Sequence, residues 1–493
     1  MDDGLIDLLV IGGGINGTGI ARDAAGRGLS VVLVEKDDLA AHTSSASSKL
    51  VHGGLRYLEQ LEFSLIRESL AERERLLRAA PHIVQPLQFV LPLSKSSRPT
   101  WMIRAGLFLY DHLARRQILP GSRSVPLDGE FGGGLKPGIS KAFAYWDCKV
   151  QDSRLVMLNA IDAAERGATI LTRTELKEAR RDERTWTARL SGQGGERVVR
   201  ARALVNAGGP WVAELFDRIR GVQRHRSIRL VKGSHIVLPR LYPGDHAFIL
   251  QNTDGRAVFA IPFETDFTLV GTTDVAWTKR LGQPEISDEE IGYLLEIVGR
   301  TFAASATRGD IVWTYSGVRG LVDDGNPNAS RATRDYELEL DRPGAPLLSV
   351  FGGKLTTYRS LAERALELLV PFFPSAGGSW TQNSVLPGGD IPGLDLSRFA
   401  HGLERRYRQL PTDLLHRLAN TYGTRTETLL EGAETIADLG EDFGAGLHAR
   451  EVDYLIANEW ARTASDILYR RTKLGLHISR DGVARLTAYL IGR

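Results

Sequence analysis

The sequence predicts an α/β and α+β protein. It has an N-terminal Rossmann-type dinucleotide-binding unit, an antiparallel-sheet module joined to it, and an all-helical C-terminal domain. Three observations carry that prediction. Residues 5–35, LIDLLVIGGGINGTGIARDAAGRGLSVVLVE, hold strand, glycine turn, helix, strand and acid in that order. Runs such as SHIVLP, RAVFAIPF and FTLVGTTD between residues 228 and 341 have the composition of paired strands. From PGGDIPG (387–393) onward, helical period and Arg–Glu pairs replace the strand signals.

The first unit reads as a strand over 8–11, a helix over 14–27, a second strand over 31–34 and then Glu35. Gly12 permits the tight turn, Gly14 lets the backbone approach a diphosphate, and Gly17 lets the helix pack on the sheet. The diphosphate then sits against Ile15 and Asn16 at the helix start, where free N–H groups and the dipole favour negative charge. Glu35, eighteen residues after Gly17 and followed by Lys36, is placed to accept hydrogen bonds from ribose hydroxyls. An acid there disfavours a 2′-phosphate.

A Ser/Thr/Gly-rich loop over 43–54 leads into a helix over 56–80. Residues 90–145 read as irregular, with one amphipathic helix among Pro and Gly. A helix is expected over 155–167 and short buried strands over 203–207 and 347–351. The second of these strands feeds Gly352-Gly353-Lys354 and a helix over 355–369.

Across 493 residues, 62 Lys+Arg stand against 60 Asp+Glu, so a net charge of +2 gives no basic excess for a nucleic-acid partner. That argues against a nucleotide-binding scaffold acting on RNA. A lone cysteine, Cys148, excludes a disulfide framework and a cysteine-ligated metal cluster, and no metal site is expected. The start, MDDGLID, lacks the basic region of a signal peptide. No apolar run approaches the ~18–20 residues of a transmembrane helix. The expectation is a cytoplasmic protein, soluble or held at a membrane surface.

The fingerprint alone leaves NAD and FAD open, and three further segments supply candidate cofactor contacts. In TSSASSKLVHGGLRYLEQ (43–60), Thr43, Ser44, Ser45 and Ser47 offer small hydroxyl donors, and Gly53-Gly54 lets the backbone pass close to a planar ring. In NAGGPW (206–211), Gly208 and Trp211 sit on a turn suited to closing over an adenine or diphosphate. In SVFGGKLTTYR (349–359), Gly352, Gly353, Lys354, Leu355 and Thr356 form a strand-to-helix turn. Its positive end suits the charge of a reduced flavin.

Through these segments, and through APHIVQP, WMIRAGLFLYDHL, RLVKGSHIVLP, VGTTD, DIVWTYSGVRGLVDD, TRDYELEL, SVLPGG and DLGEDFG, the chain resembles a known family. It is similar to the FAD-dependent (aerobic, respiratory) glycerol-3-phosphate dehydrogenases, within the glycine-oxidase/D-amino-acid-oxidase-like flavoproteins. The resemblance implies FAD as cofactor, sn-glycerol 3-phosphate as substrate, a quinone as electron acceptor, a homodimer, and peripheral attachment to the inner face of the cell membrane. A glycerol-3-phosphate oxidase using oxygen is the alternative. The implied division is 1–385 for FAD and substrate and 386–493 for a helical cap. Within the first part, about 1–90, 150–215 and 345–385 would serve FAD, and 91–149 and 216–344 the substrate.

A phosphate substrate wants planar, bidentate guanidinium groups. Arg56, Arg319 and Arg334 match the positions that look like the clamp, and Tyr57 the position that orients the substrate. His235 in KGSHIV and Lys354 are the candidates for taking the hydroxyl proton, because imidazole titrates near neutrality and lysine can hold a developing alkoxide. Both stay open. Gly320 departs from the family pattern, standing where proline is usual. In WMIRAGLFLYDHLARR (101–116), Met102, Leu109 and Leu113 fall near one face with Ile103, Leu107 and Tyr110, flanked by Arg104, Arg115 and Arg116. Such a helix suits a lipid interface.

Overall fold

The apolar run at 8–11 ends a longer strand, β1 (Asp3–Ile11), which leads through the glycine turn into helix α1 (Ile15–Gly26) and strand β2 (Val31–Val34). The computed structural model describes residues 3–93, 99–127, 129–138, 141–223, 226–252, 254–323 and 335–493. From Leu8 to Ile11, β1 is buried on both faces, as a central parallel strand must be. Leu8 and Val10 pack under α1 and the helices Asp152–Glu165 and Tyr358–Leu369. Leu9 and Ile11 pack against Trp186 and Leu176 of a strand meander on the other side.

That nine-stranded sheet is parallel at its centre. β1 lies between β2 and the strand Gly195–Asn206, which also pairs in parallel with Leu347–Gly352. The expected short strand at 203–207 is the end of this twelve-residue strand. Its first half forms a hairpin with Trp186–Gly192, where exposed arginines alternate with buried Val199, Ala201 and Ala203. The second sheet has ten strands, almost all antiparallel, and Ile228–Pro239 pairs with both Phe267–Gly271 and Trp313–Val322. It already takes in Leu50–Val51 and Val84–Pro92, ahead of residue 91. The stretch read as irregular, 90–145, runs into the strand Lys141–Val150, whose residues from Ala142 onward pair with Val84–Pro92.

Two helices begin later than expected. The helix expected from 56 is split: a 3₁₀ turn, Leu55–Gln60, ends at Leu61 (φ 59°), and α2 (Phe63–Ala79) starts beyond it. Amide bonds from Glu62 to the Tyr57 carbonyl and from Leu61 to the Leu58 carbonyl close the turn as a left-handed C-cap. The helix expected from 355 starts at Tyr358, because Gly352 and Gly353 both hold positive φ and bend the chain first. One long helix went unread: Asp288–Thr301 begins with a Ser287/Glu290 capping box and packs Ile291, Leu294, Ile297 and Val298 on the second sheet.

Helix α3 (Thr100–His112) divides the apolar residues grouped from sequence. Ile103, Leu107 and Tyr110 are buried, whereas Trp101, Met102, Phe108 and Leu109 face outward. The C-terminal helices, among them Thr412–Tyr422, Ala449–Glu459 and Arg480–Ile491, enclose a core of their own. A small hairpin, Asp442–Gly444 with Leu447–His448, interrupts the helical pattern.

Candidate active site

The strand ends of the first sheet and the face of the second enclose a cavity of about 810 Å³. Gly12 (φ 114°) makes its floor possible: a Cβ there would lie 2.4 Å from the Ala207 carbonyl oxygen, and one on Gly17 only 1.8 Å from that of Gly12. Gly12, Gly14, Ile15 and Asn16 line the cavity, while Gly17 lies behind it in the helix packing. The Asn16 amide donates to the Gly352 carbonyl (3.3 Å), joining the first glycine turn to the last.

Glu35 lines the cavity with its carboxylate held by the Gly13 amide (2.7 Å) and the Asp37 amide (2.9 Å). Burial raises its pKa despite those bonds. Lys36 lies 3.8 Å over the Trp211 ring, and His42 meets the same ring at 4.5 Å, so the NAGGPW turn and the Glu35 loop meet at one wall with Gly208. Thr43, Ser44 and Ser47 also line the cavity. The Ser44 hydroxyl accepts from the Ile15 amide (3.0 Å), and that of Thr43 donates to the Val318 carbonyl (2.6 Å). Ser45 and Gly53 lie off the wall: Ser45 donates to the His42 carbonyl, and the Gly53 amide donates to Tyr110 Oη. Gly54, Gly352, Gly353, Leu355 and Thr356 complete the lining.

Arg319 of the second sheet, Tyr57 of the 3₁₀ turn and Lys354 after the last strand of the first sheet reach the same cavity. Lys354 Nζ sits 3.9 Å over the Tyr57 ring. Arg319 donates to Asp274 (2.7 Å) and to Thr272 Oγ1 (3.1 Å), and its guanidinium lies across Gly233, where a Cβ would come within 2.5 Å of it. Gly320 turns its α-carbon to Pro210, leaving 3.2 Å for a Cβ. Arg334 and the side chain of Arg56 lie outside the described residues.

His235 is placed differently from expectation. It is buried, off the cavity wall, and its Nε2 lies 2.9 Å from Ser48 Oγ. Burial, then the charges of Arg319 and Lys49, hold its pKa well below the usual imidazole range, so it is neutral near pH 7. Three groups were missed from sequence although their motifs were read: Ser48 and His52 line the cavity within the Ser-rich segment, and the Thr272–Asp274 loop of VGTTD holds Arg319. The motifs marked the loops, but only pairing across strands shows which side chain meets which.

A family model described as FAD dependent oxidoreductase matches residues 7–359, and one described as the C-terminal domain of alpha-glycerophosphate oxidase matches 379–489. The chain is 53% identical to a glycerol-3-phosphate dehydrogenase of Pseudomonas aeruginosa, covering 98% of this chain and 94% of that one. It is 51% identical to the aerobic glycerol-3-phosphate dehydrogenase of Escherichia coli, covering 98% and 97%. A D-erythritol 1-phosphate dehydrogenase of Brucella abortus is 52% identical, with 96% and 95% covered. Among solved structures, a glycerol-3-phosphate dehydrogenase from Bacillus halodurans complexed with FAD superposes with a TM-score of 0.78 at 26% identity, covering 100% of this chain and 90% of that one. The glycine turns, the buried acid and the cavity of about 810 Å³ fit FAD. The chain belongs to the FAD-dependent oxidoreductases, in the family of the FAD-dependent glycerol-3-phosphate dehydrogenases.

Proposed function

We propose that this chain oxidises sn-glycerol 3-phosphate to dihydroxyacetone phosphate, with hydride passing from C2 to FAD N5, and delivers the electrons to a membrane quinone. The observation that carries the reading is the meeting of Arg319 and Lys354 with the nucleotide-binding turns in one cavity. FAD, when bound, supplies the two-electron acceptor. Gly12, Gly14, Ile15 and Asn16 would hold its diphosphate, Glu35 its ribose, and Gly352, Gly353 and Lys354 the charge on its reduced ring.

Arg319, oriented by Asp274 and Thr272, would bind the phosphate with Arg56 and Arg334, while Tyr57 and Lys354 position the alcohol. Either His235 or Lys354 takes the hydroxyl proton in this scheme. The proposal includes the division at 385/386, a homodimer, and attachment to the inner face of the cell membrane through α3. Its exposed Trp101, Met102, Phe108 and Leu109, with Arg104 beside them, suit an interface. Among the described residues no helix is long and apolar enough to cross a membrane.

The deciding experiment is anaerobic. Bleaching of the flavin band by glycerol 3-phosphate and not by glycerol would support the reading; no bleaching would remove it. D-Erythritol 1-phosphate belongs in the same assay, because a relative named for that substrate is as similar as those named for glycerol 3-phosphate. A glycerol-3-phosphate oxidase is the second reading, favoured by the description of the C-terminal family model. Rapid return of colour with oxygen, and slow return with a quinone analogue, would select it.

A further inference from the structure

Ser48 connects His235 to the cavity. His235 stacks on Tyr315 at 4.8 Å and lies off the wall, whereas Ser48 lines the cavity together with Thr272 and Arg319. The segment that carries Ser48 is pinned on both sides by Asp152, which is fully buried. Asp152 accepts from Ser47 Oγ (2.8 Å) and, at both oxygens, from Lys49 Nζ (2.9 Å). Tyr315 Oη donates to the Ser47 carbonyl (2.8 Å), so the ring that stacks on His235 also fixes the residue before Ser48. Among the described residues His235 Nδ1 has no hydrogen-bond partner, which leaves Ser48 as the side chain that hydrogen-bonds the imidazole.

We propose that Ser48 is a catalytic residue whose Oγ takes the proton of the substrate hydroxyl as its own proton passes to His235 Nε2. The proposal rests on the alcohol-oxidising reading above. The substrate O–H bond breaks, its electron pair forms the carbonyl, and the C2–H pair leaves as hydride to the flavin. Serine ends with one proton, as it began, and His235 ends protonated on both nitrogens. Loss of hydride makes the hydroxyl strongly acidic, so an imidazole held neutral by burial and by Arg319 and Lys49 suffices as acceptor.

The test uses the flavin-loaded full chain, reduced anaerobically by glycerol 3-phosphate in stopped flow. Ser48→Ala is expected to slow bleaching by about 10²-fold or more, and Ser48→Thr, which keeps the hydroxyl, to stay within about tenfold of the parent. Adding His235→Ala to Ser48→Ala should cost little more than either change alone, as for members of one relay. Without substrate, Ser48→Ala should also shift the ¹⁵N resonance of His235 Nε2. Bleaching of Ser48→Ala within about threefold of the parent would overturn the proposal, as would multiplicative losses in the double variant. A Ser48→Thr protein as slow as Ser48→Ala overturns it too, as does a Ser48→Ala protein that loses its flavin, since Ser48 is then structural. A parent protein that fails to bleach removes the substrate reading, and this proposal with it.

Discussion

Asp38, three residues past the fingerprint acid, is held by Arg471 across 433 residues of chain, with Nη1 at 2.6 Å and Nη2 at 2.8 Å from its two carboxylate oxygens. Arg470 Nε reaches the same carboxylate at 2.6 Å. Asp38 sits in the loop that carries Glu35, Lys36 and Thr43 to the cavity, so the C-terminal helices grip the cofactor loop from behind. Both partners are buried.

Arg471→Ala is therefore expected to cost about 3–5 kcal/mol of stability, because it takes the two-bond partner from a buried carboxylate. The companion arginine at 470 should keep the loss near the lower end. Urea unfolding measures it, and the FAD retained after gel filtration reports on the loop. A loss under about 1 kcal/mol with full FAD would show that the grip is incidental.

Arg319→Ala should raise KM for the phosphate substrate at least ~10-fold, since one charge-assisted bond is worth roughly 1.5–3 kcal/mol. Asp274→Asn keeps the arginine and loosens only its hold, so a smaller rise is expected. Steady-state kinetics separates the two. Equal turnover of glycerol and glycerol 3-phosphate by the parent would refute the clamp.

Much of this was legible in the residues, and the reasons differ by element. β1, α1 and β2 follow from local glycine chemistry and apolar runs, which need no knowledge of partners. His235 was visible as a histidine in an alternating strand, but its burial depends on Tyr315 from a strand 80 residues away. The Asp38–Arg471 and Lys49–Asp152 pairs are set by docking of distant elements, and single-sequence periodicity carries no sign of them. The Leu61 break was hidden because a left-handed leucine breaks no pattern of hydrophobicity.

On α3, Trp101 and Phe108 are 71% and 63% exposed, and Leu61 is 71% exposed on the stretch leading into α2. If this face meets lipid, Trp101→Ser combined with Phe108→Ser should weaken binding to anionic vesicles at least ~10-fold, each ring being worth roughly 1.5–3 kcal/mol on burial. Co-sedimentation measures it, and activity with a soluble dye acceptor should hold. Unchanged partitioning would move the membrane contact elsewhere.

His82 supplies the last prediction. It is fully buried where α2 ends, against the turns of Gly388 and Gly423 from the C-terminal part, and burial, aided by the charge of Arg154, lowers its pKa from 6.5 to about 3. Between those two values the unfolded chain carries the proton and the folded one does not. Stability then falls as pH falls through that window, by roughly 1.4 kcal/mol per pH unit, and the effect is complete once pH drops below the folded value. Above pH 6.5 the imidazole is neutral in both states and contributes no slope. His82→Gln removes the titration, so the gap between parent and variant stability should shift steadily in the variant's favour from pH 6.5 downward. Denaturant unfolding of both proteins at stepped pH reads the gap directly; two parallel curves would mean that His82 is not held neutral at this junction.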